Sequence, residues 1–301
     1  MNRLRHVITS GLVFLMAIMA PRVGSQAAAQ ERGARGGEGR GGRGGGGGLG
    51  AKNPDLPAGA FTASSTVAHT TLKHEWVDVP LAGRALHTWI EYPDGTTQAP
   101  VVLVMSHEAG LDDWMRAVAD QLALQGFIAI APDVLSGRGP SGGNFESFRF
   151  PADVIRAIAR VPQDEVLRRY KAALEYGLKL PRALAKSAAL GVGMGGADSF
   201  RLAADVPVDA AVAFYGVAPD DTALTRIKAP IAGFYGEDDP RVMPTVLAAD
   251  ATMKRLGKTY EVHVYPGATQ GFLRSTVEGQ NGAAGATAWP AAIQFLRQHL
   301  N

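Results

Sequence analysis

The stretch "ALGVGMGGADSF", residues 189–200, limits what this chain can fold into more than any other. Its first residues form an unbroken apolar run, as expected of a strand buried on both faces, and such a strand needs a covering layer on each side. The glycine-rich turn that follows leads straight into a helical pattern. Further short apolar runs, "VVLVM" from Val101, "FIAIAP", "AAVAFYG" and "PIAGFYG", each lead to a loop or helix in the same way. Strands and helices that alternate from about Ser65 onward predict a mostly parallel central sheet with helices on both faces.

Other segments fit that frame. "HEWVDVP" and "RALHTWIEYP" predict a leading antiparallel pair, joined through the glycine turn between Pro80 and Arg84. "LDDWMRAVADQLALQG" sets Leu111, Trp114, Met115, Val118 and Leu122 on one helical face, opens with two aspartates and closes at Gly126. "YEVHVYPG" alternates Tyr260, Val262 and Val264 against Glu261, His263 and Tyr265, which predicts a strand with one less buried face. There is no internal repeat and no second core, so residues 65–301 form a single domain of ordinary size for an α/β unit.

The chain begins differently. Arg3 and Arg5 precede an apolar run from Val7 to Ala20 and then small residues, the pattern of a secretory signal peptide over residues 1–29, cleaved after Ala29. The run is too short to span a bilayer, so no stable membrane insertion is expected once the signal is removed. Residues 30–64 are expected to be a linker, since "ERGARGGEGRGGRGGGGGLG" offers almost nothing to bury. Arg-Gly repeats can bind RNA, but Phe and Tyr, which would stack on bases, are absent from this stretch, and nucleic acid is not an expected partner. The formal charge of +2 adds no reason to expect one. There are no cysteines, which excludes disulfides, zinc-thiolate sites, a cysteine nucleophile and a lipoprotein anchor. Export without disulfides points to a secreted or periplasmic bacterial protein.

In open α/β sheets functional residues collect at the carboxyl ends of the strands. Four blocks lie there in order: "HEAGLDDWMRAVADQLALQGFIAIAPDVLSGRGPSGG", "GVGMGGADSFRLA", "FYGEDDPRV" and "YPGATQGFLRS". In type, order and spacing the chain resembles the dienelactone hydrolase family, over roughly Thr71 to Leu300. The resemblance implies the α/β-hydrolase fold, and hydrolysis of lactones or other carboxylic esters without a cofactor. Its catalytic cysteine falls on Gly193, its acid on Asp239 and its histidine on Gln270, so only the acid is kept. Glu108 follows His107 as in the family's His-Glu pair, and Arg274 stands where the family's substrate-carboxylate arginine occurs. An oxyanion hole from the backbone N–H groups of Met194 and Ala109 is also implied.

Acyl transfer through a covalent intermediate needs an activated hydroxyl or thiol, and glycine supplies neither. Glutamine cannot shuttle a proton near neutral pH. The residue inventory therefore predicts a catalytically impaired family member whose pocket takes a small ester, lactone or carboxylate. Two alternatives stand beside it. An active hydrolase could use Ser106, Ser199 or a water activated by Asp239 or Glu108, and the Gly/Arg tail could bind nucleic acid or a partner. Each retained residue also has a plain structural role: Asp239 as a turn or helix cap, Glu108 and His107 as loop hydrogen-bonders, Arg274 as a paired surface cation. His69, His74, His87 and His263 show no metal-ligand spacing, and no metal is expected.

Overall fold

The computed structural model describes residues 56–275 and 279–301; the expected signal peptide and the Gly/Arg repeats lie outside them. Eight strands form one sheet: β1 (His74–Leu81), β2 (Arg84–Glu91), β3 (Ala99–Met105), β4 (Ile128–Pro132), β5 (Ala183–Val192), β6 (Ala210–Phe214), β7 (Ile231–Gly236) and β8 (Tyr260–Tyr265). Their spatial order is β1-β2-β4-β3-β5-β6-β7-β8. The leading pair is antiparallel from His74↔Glu91 to Leu81↔Arg84, and β2 meets β4 antiparallel. Every later pairing is parallel.

Side chains alternate across a strand, so each central strand feeds two apolar layers. From β3, Val102 and Val104 join a layer with Trp114, Val118 and Leu122 of α2 (Asp113–Leu124) and with Trp289 and Leu296 of α8 (Gln280–Leu300). Val101, Leu103 and Met105 join the opposite layer with Tyr170 and Leu174 of α4 (Gln163–Gly177) and Phe200 of α5 (Met194–Asp205). Burying each such side chain contributes about 1.5–3 kcal/mol, which is why the unbroken apolar runs become central strands. The helix predicted from "LDDWMRAVADQL" forms as α2. Asp112 caps it by accepting from the Met115 N–H at 3.0 Å, and all five residues of the predicted face are buried.

Two segments depart from expectation. Residues 56–64, read as linker, belong to the folded domain: Leu56 and Ala58 pack on the core, Ala63 is buried at the start of α1 (Ala63–His69), and the Ala60 N–H donates to the Arg274 carbonyl at 3.3 Å. Few apolar residues mark this stretch, and what orders it is the surface of α2, visible only once the domain is assembled. In β8, Val264 is exposed while His263 is half-buried and stacks on Phe234 with ring centroids 4.7 Å apart. As the last strand of the sheet, β8 has a single neighbour, and contact with that neighbour decides its burial more than alternation does.

The turn between β5 and α5 is the tightest crossing in the sheet. Gly193 sits at φ +57°, ψ −113°, in the left-handed region that favours glycine, and donates its N–H to the Phe214 carbonyl at 2.9 Å. One step later α5 presses so close to β3 that a Cβ at Gly195 would collide with the Met105 carbonyl, and would lie 2.7 Å from that of Ser106. Those neighbours are backbone and cannot turn aside. Gly195→Ala is therefore expected to cost about 3 kcal/mol or more in unfolding free energy, read by urea denaturation. A loss below about 1 kcal/mol would show that α5 can withdraw from the sheet.

Candidate active site

Four loops at the carboxyl ends of the strands surround Gly193. After β3 comes the stretch from Ser106 to Asp112, after β5 the glycine turn, after β7 the turn around Asp239, and after β8 the segment from Ala268 to Arg274. Parallel strands point the same way, so these loops fall on one edge although they are far apart in sequence.

Gly193 occupies the apex, with Glu108 and His107 beside it. A Cβ built there would lie 3.0 Å from Glu108 Oε2 and 3.7 Å from His107 Cβ. Met194 opens α5, and N–H groups of a helix's first turn have no partner within the helix. The other expected oxyanion donor is engaged, because the Ala109 N–H donates to His107 Nδ1 at 3.3 Å.

His107 is buried and edge-on to Trp114, with ring centroids 5.6 Å apart. With Nδ1 accepting from Ala109, the ring proton belongs on Nε2, which lies 3.2 Å from Asp112 Oδ2 but off the line of a good hydrogen bond. The same Asp112 oxygen is 3.7 Å from Arg274 Nη2, and the Arg274 guanidinium lies over the Trp114 ring at 5.1 Å. Burial raises the Asp112 pKa, but the His107 ring, the Met115 N–H and the Arg274 charge outweigh it, and the net shift is below the usual 3.8.

Asp239 serves as a turn carboxylate and keeps a vacancy. Its Oδ1 accepts from the N–H groups of Arg241 at 3.2 Å and Val242 at 3.1 Å, whereas Oδ2 is buried with no partner among the described residues. The Asp238 N–H donates to the Ala268 carbonyl at 3.0 Å, so this turn lies against the loop that carries Gln270. Gln270 is exposed and makes no side-chain hydrogen bond among the described residues. A histidine at 270 would be the natural partner for that orphaned oxygen.

The two candidate replacement nucleophiles lie inside the protein. Ser199 is fully buried on α5 with its hydroxyl donating to the Gly196 carbonyl at 2.8 Å. Ser106 is equally buried, and its hydroxyl has no partner. Both side chains are out of contact with solvent.

Two residues join the site that sequence reasoning passed over. Asp112 looked like a helix-opening aspartate, and it does cap α2, but its second oxygen ties His107 to Arg274. Tyr215 follows β6 and looked like one more apolar strand residue. It is buried at a positive φ of 39°, and its hydroxyl has no partner. Burial raises its pKa, while the Arg274 charge lowers it and the Glu108 charge raises it. A bulky residue held at positive φ at a strand end was the signal available, and it exists only in the backbone. Among the described residues no group of three His, Asp or Glu side chains converges as metal ligands would.

The sequence model of the dienelactone hydrolase family matches residues 86–300. A protein of Saccharolobus solfataricus, provisionally named carboxymethylenebutenolidase, is 27% identical over 250 residues, spanning 72% of this chain and 95% of its own. A Bradyrhizobium protein, provisionally named 2-oxo-3-(5-oxofuran-2-ylidene)propanoate lactonase, is 27% identical over 249 residues, spanning 78% and 98%. Among solved structures, a provisionally named dienelactone hydrolase from Klebsiella pneumoniae superposes with a TM-score of 0.65 at 22% identity, over 76% of this chain and all of that one. The dienelactone hydrolase from Anabaena variabilis gives 0.60 at 20% identity, over 77% and 100%. Both structures share the α/β-hydrolase fold with this chain.

Asp112 is expected to support both stability and the shape of the site. Because its folded-state pKa is depressed, its contribution is complete above the unfolded value near 3.8 and is lost as pH falls through the folded one. Asp112→Ala, which removes cap and charge, is expected to cost about 1–2 kcal/mol at pH 7. Asp112→Asn keeps a capping oxygen and should cost less, while flattening the acid limb of the stability–pH curve. Equal losses in both variants would leave the charge without a role.

Proposed function

The chain belongs to the dienelactone hydrolase family, and from that premise we propose that it has lost covalent acyl transfer and binds a small carboxylate or the related ester or lactone at the elbow. The observation that carries this reading is the apex itself: a glycine at φ +57° with the Glu108 carboxylate 3.0 Å from where a nucleophile's Cβ would stand. The orphaned Oδ2 of Asp239 beside an exposed Gln270 supports the same reading from the other side of the site. Arg274 is about one-third exposed and its nearest carboxylate contact is as long as 3.7 Å, so N–H groups remain for a ligand. The Met194 N–H and the unpaired Tyr215 hydroxyl add two neutral donors. Export through the residue 1–29 signal, to the periplasm or beyond, is part of the proposal and is tested by the mass of the exported protein's N-terminus.

The purified protein is expected to show no burst and no ordinary turnover on a panel of activated esters and lactones. Arg274→Ala should weaken binding of small carboxylates by about 1.5–3 kcal/mol, read by calorimetry. Gly193→Cys with Gln270→His should raise ester hydrolysis at least about 10²-fold above either single replacement, since nucleophile and base act as a unit. Ordinary turnover by the parent, left unchanged by the double replacement, would overturn the proposal.

The place of Glu108 favours one second reading, in which its carboxylate draws a proton from a water held at the apex and the water attacks the ester directly. In that case slow hydrolysis by the parent is lost in Glu108→Gln and no acyl-enzyme forms.

A further inference from the structure

The helix that covers the site from outside has a second face. α3 (Pro151–Ile158) turns Val154 and Ile158 inward, where both stand 3.3 Å from the Cβ position of Gly110 in the loop after β3. Its outer face, with the segment before it, lines a cavity of about 660 Å³, a volume typical of small-molecule sites. Four arginines line it: Arg138, Arg149, Arg156 and Arg160. Arg138 is paired with Glu165, its Nε 2.8 Å from Oε1, and Arg156 is paired with Asp153. Among the described residues Arg149 and Arg160 have no carboxylate within ion-pair distance. Four guanidinium groups against two carboxylates leave two positive charges uncompensated in one concavity.

The apolar part of the lining is aromatic. Phe148 is half-buried and Phe150 is exposed, and the Arg149 guanidinium lies 5.3 Å over the Phe150 ring. A flat anionic ligand would cover the exposed Phe150 face and pair with the two arginines at once. None of the residues lining this cavity is a residue of the elbow site.

We propose that this cavity is a second ligand site, which takes an organic dianion with an aromatic body. Two carboxylates or one phosphate would sit between Arg149 and Arg160, in the planar bidentate geometry guanidinium groups favour, and the ring would lie against Phe150.

Calorimetry on the full chain with phenyl phosphate and phthalate tests the proposal, with inorganic phosphate and benzyl alcohol as the charge-only and ring-only probes. Both dianions should bind saturably, inorganic phosphate about fivefold more weakly or worse, and benzyl alcohol not measurably. Arg149→Ala with Arg160→Ala should weaken the dianions about tenfold or more. Both positions are exposed, so the melting temperature should not move. Arg274→Ala should leave this binding intact, which separates the site from the elbow. The proposal fails if neither dianion binds, if inorganic phosphate binds as well as phenyl phosphate, or if the affinity follows Arg274 rather than Arg149 and Arg160.

Discussion

The close approach of α5 to the carbonyl ends of β3 and β6 is the constraint on which the rest of the structure depends. The backbone must reverse within one residue, which sets Gly193 at positive φ, and the helix must then start against two strands at once. Gly195 lies on the Met105 and Ser106 carbonyls, and the Gly193 N–H is tied to Phe214. That contact fixes the first turn of α5, and with it the Met194 N–H, relative to the loops after β3 and β6. Position 193 needs glycine-like backbone freedom whether or not a side chain works there. A nucleophile in that conformation carries strain, and glycine relieves it. The fold thus keeps a joint in which backbone lies against backbone.

Around that joint the polar groups form a chain of shared dependence. Asp112 caps α2 with one oxygen and faces His107 and Arg274 with the other. His107 in turn holds the Ala109 N–H, and Trp114 from the same helix supports both the imidazole and the guanidinium. A loop that would otherwise be free is therefore fixed to a helix terminus whose own stability rests on an apolar stripe. Asp239 shows the complementary case: one oxygen is fully used by its own turn, and the other waits for a partner that Gln270 does not supply. The structural reading of Asp239 holds for the oxygen that accepts from its own turn.

The covering segment between β4 and α4 extends the same economy outward. Asp133 accepts from the Leu135 and Phe145 N–H groups at 2.8 and 2.9 Å and so pins both ends of the loop that leads to α3. Burial raises the pKa of this carboxyl, and the two backbone donors oppose that shift without reversing it. α3 then needs only Val154 and Ile158 to seat it above Gly110, which leaves its arginine-bearing face to solvent.

The architecture was legible because burial on both faces writes itself into sequence as continuous apolar runs, and α2 because a 3.6-residue period and its aspartate cap are local features. That positions 193 and 270 carry Gly and Gln was legible too, since a functional group's presence is a property of one residue. Asp112 and Tyr215 were not, because their roles come from what stands opposite them across loops distant in the chain. Nor could sequence tell that Ser106 and Ser199 are sealed inside, that residues 56–64 dock on the domain, or that Glu108 reaches into the nucleophile's space. The sequence by itself determined which chemical groups the site can and cannot contain. Only the tertiary structure decided which of them meet, because the parallel sheet brings separate strand ends to one edge, and distance and solvent exclusion there set what each group can do.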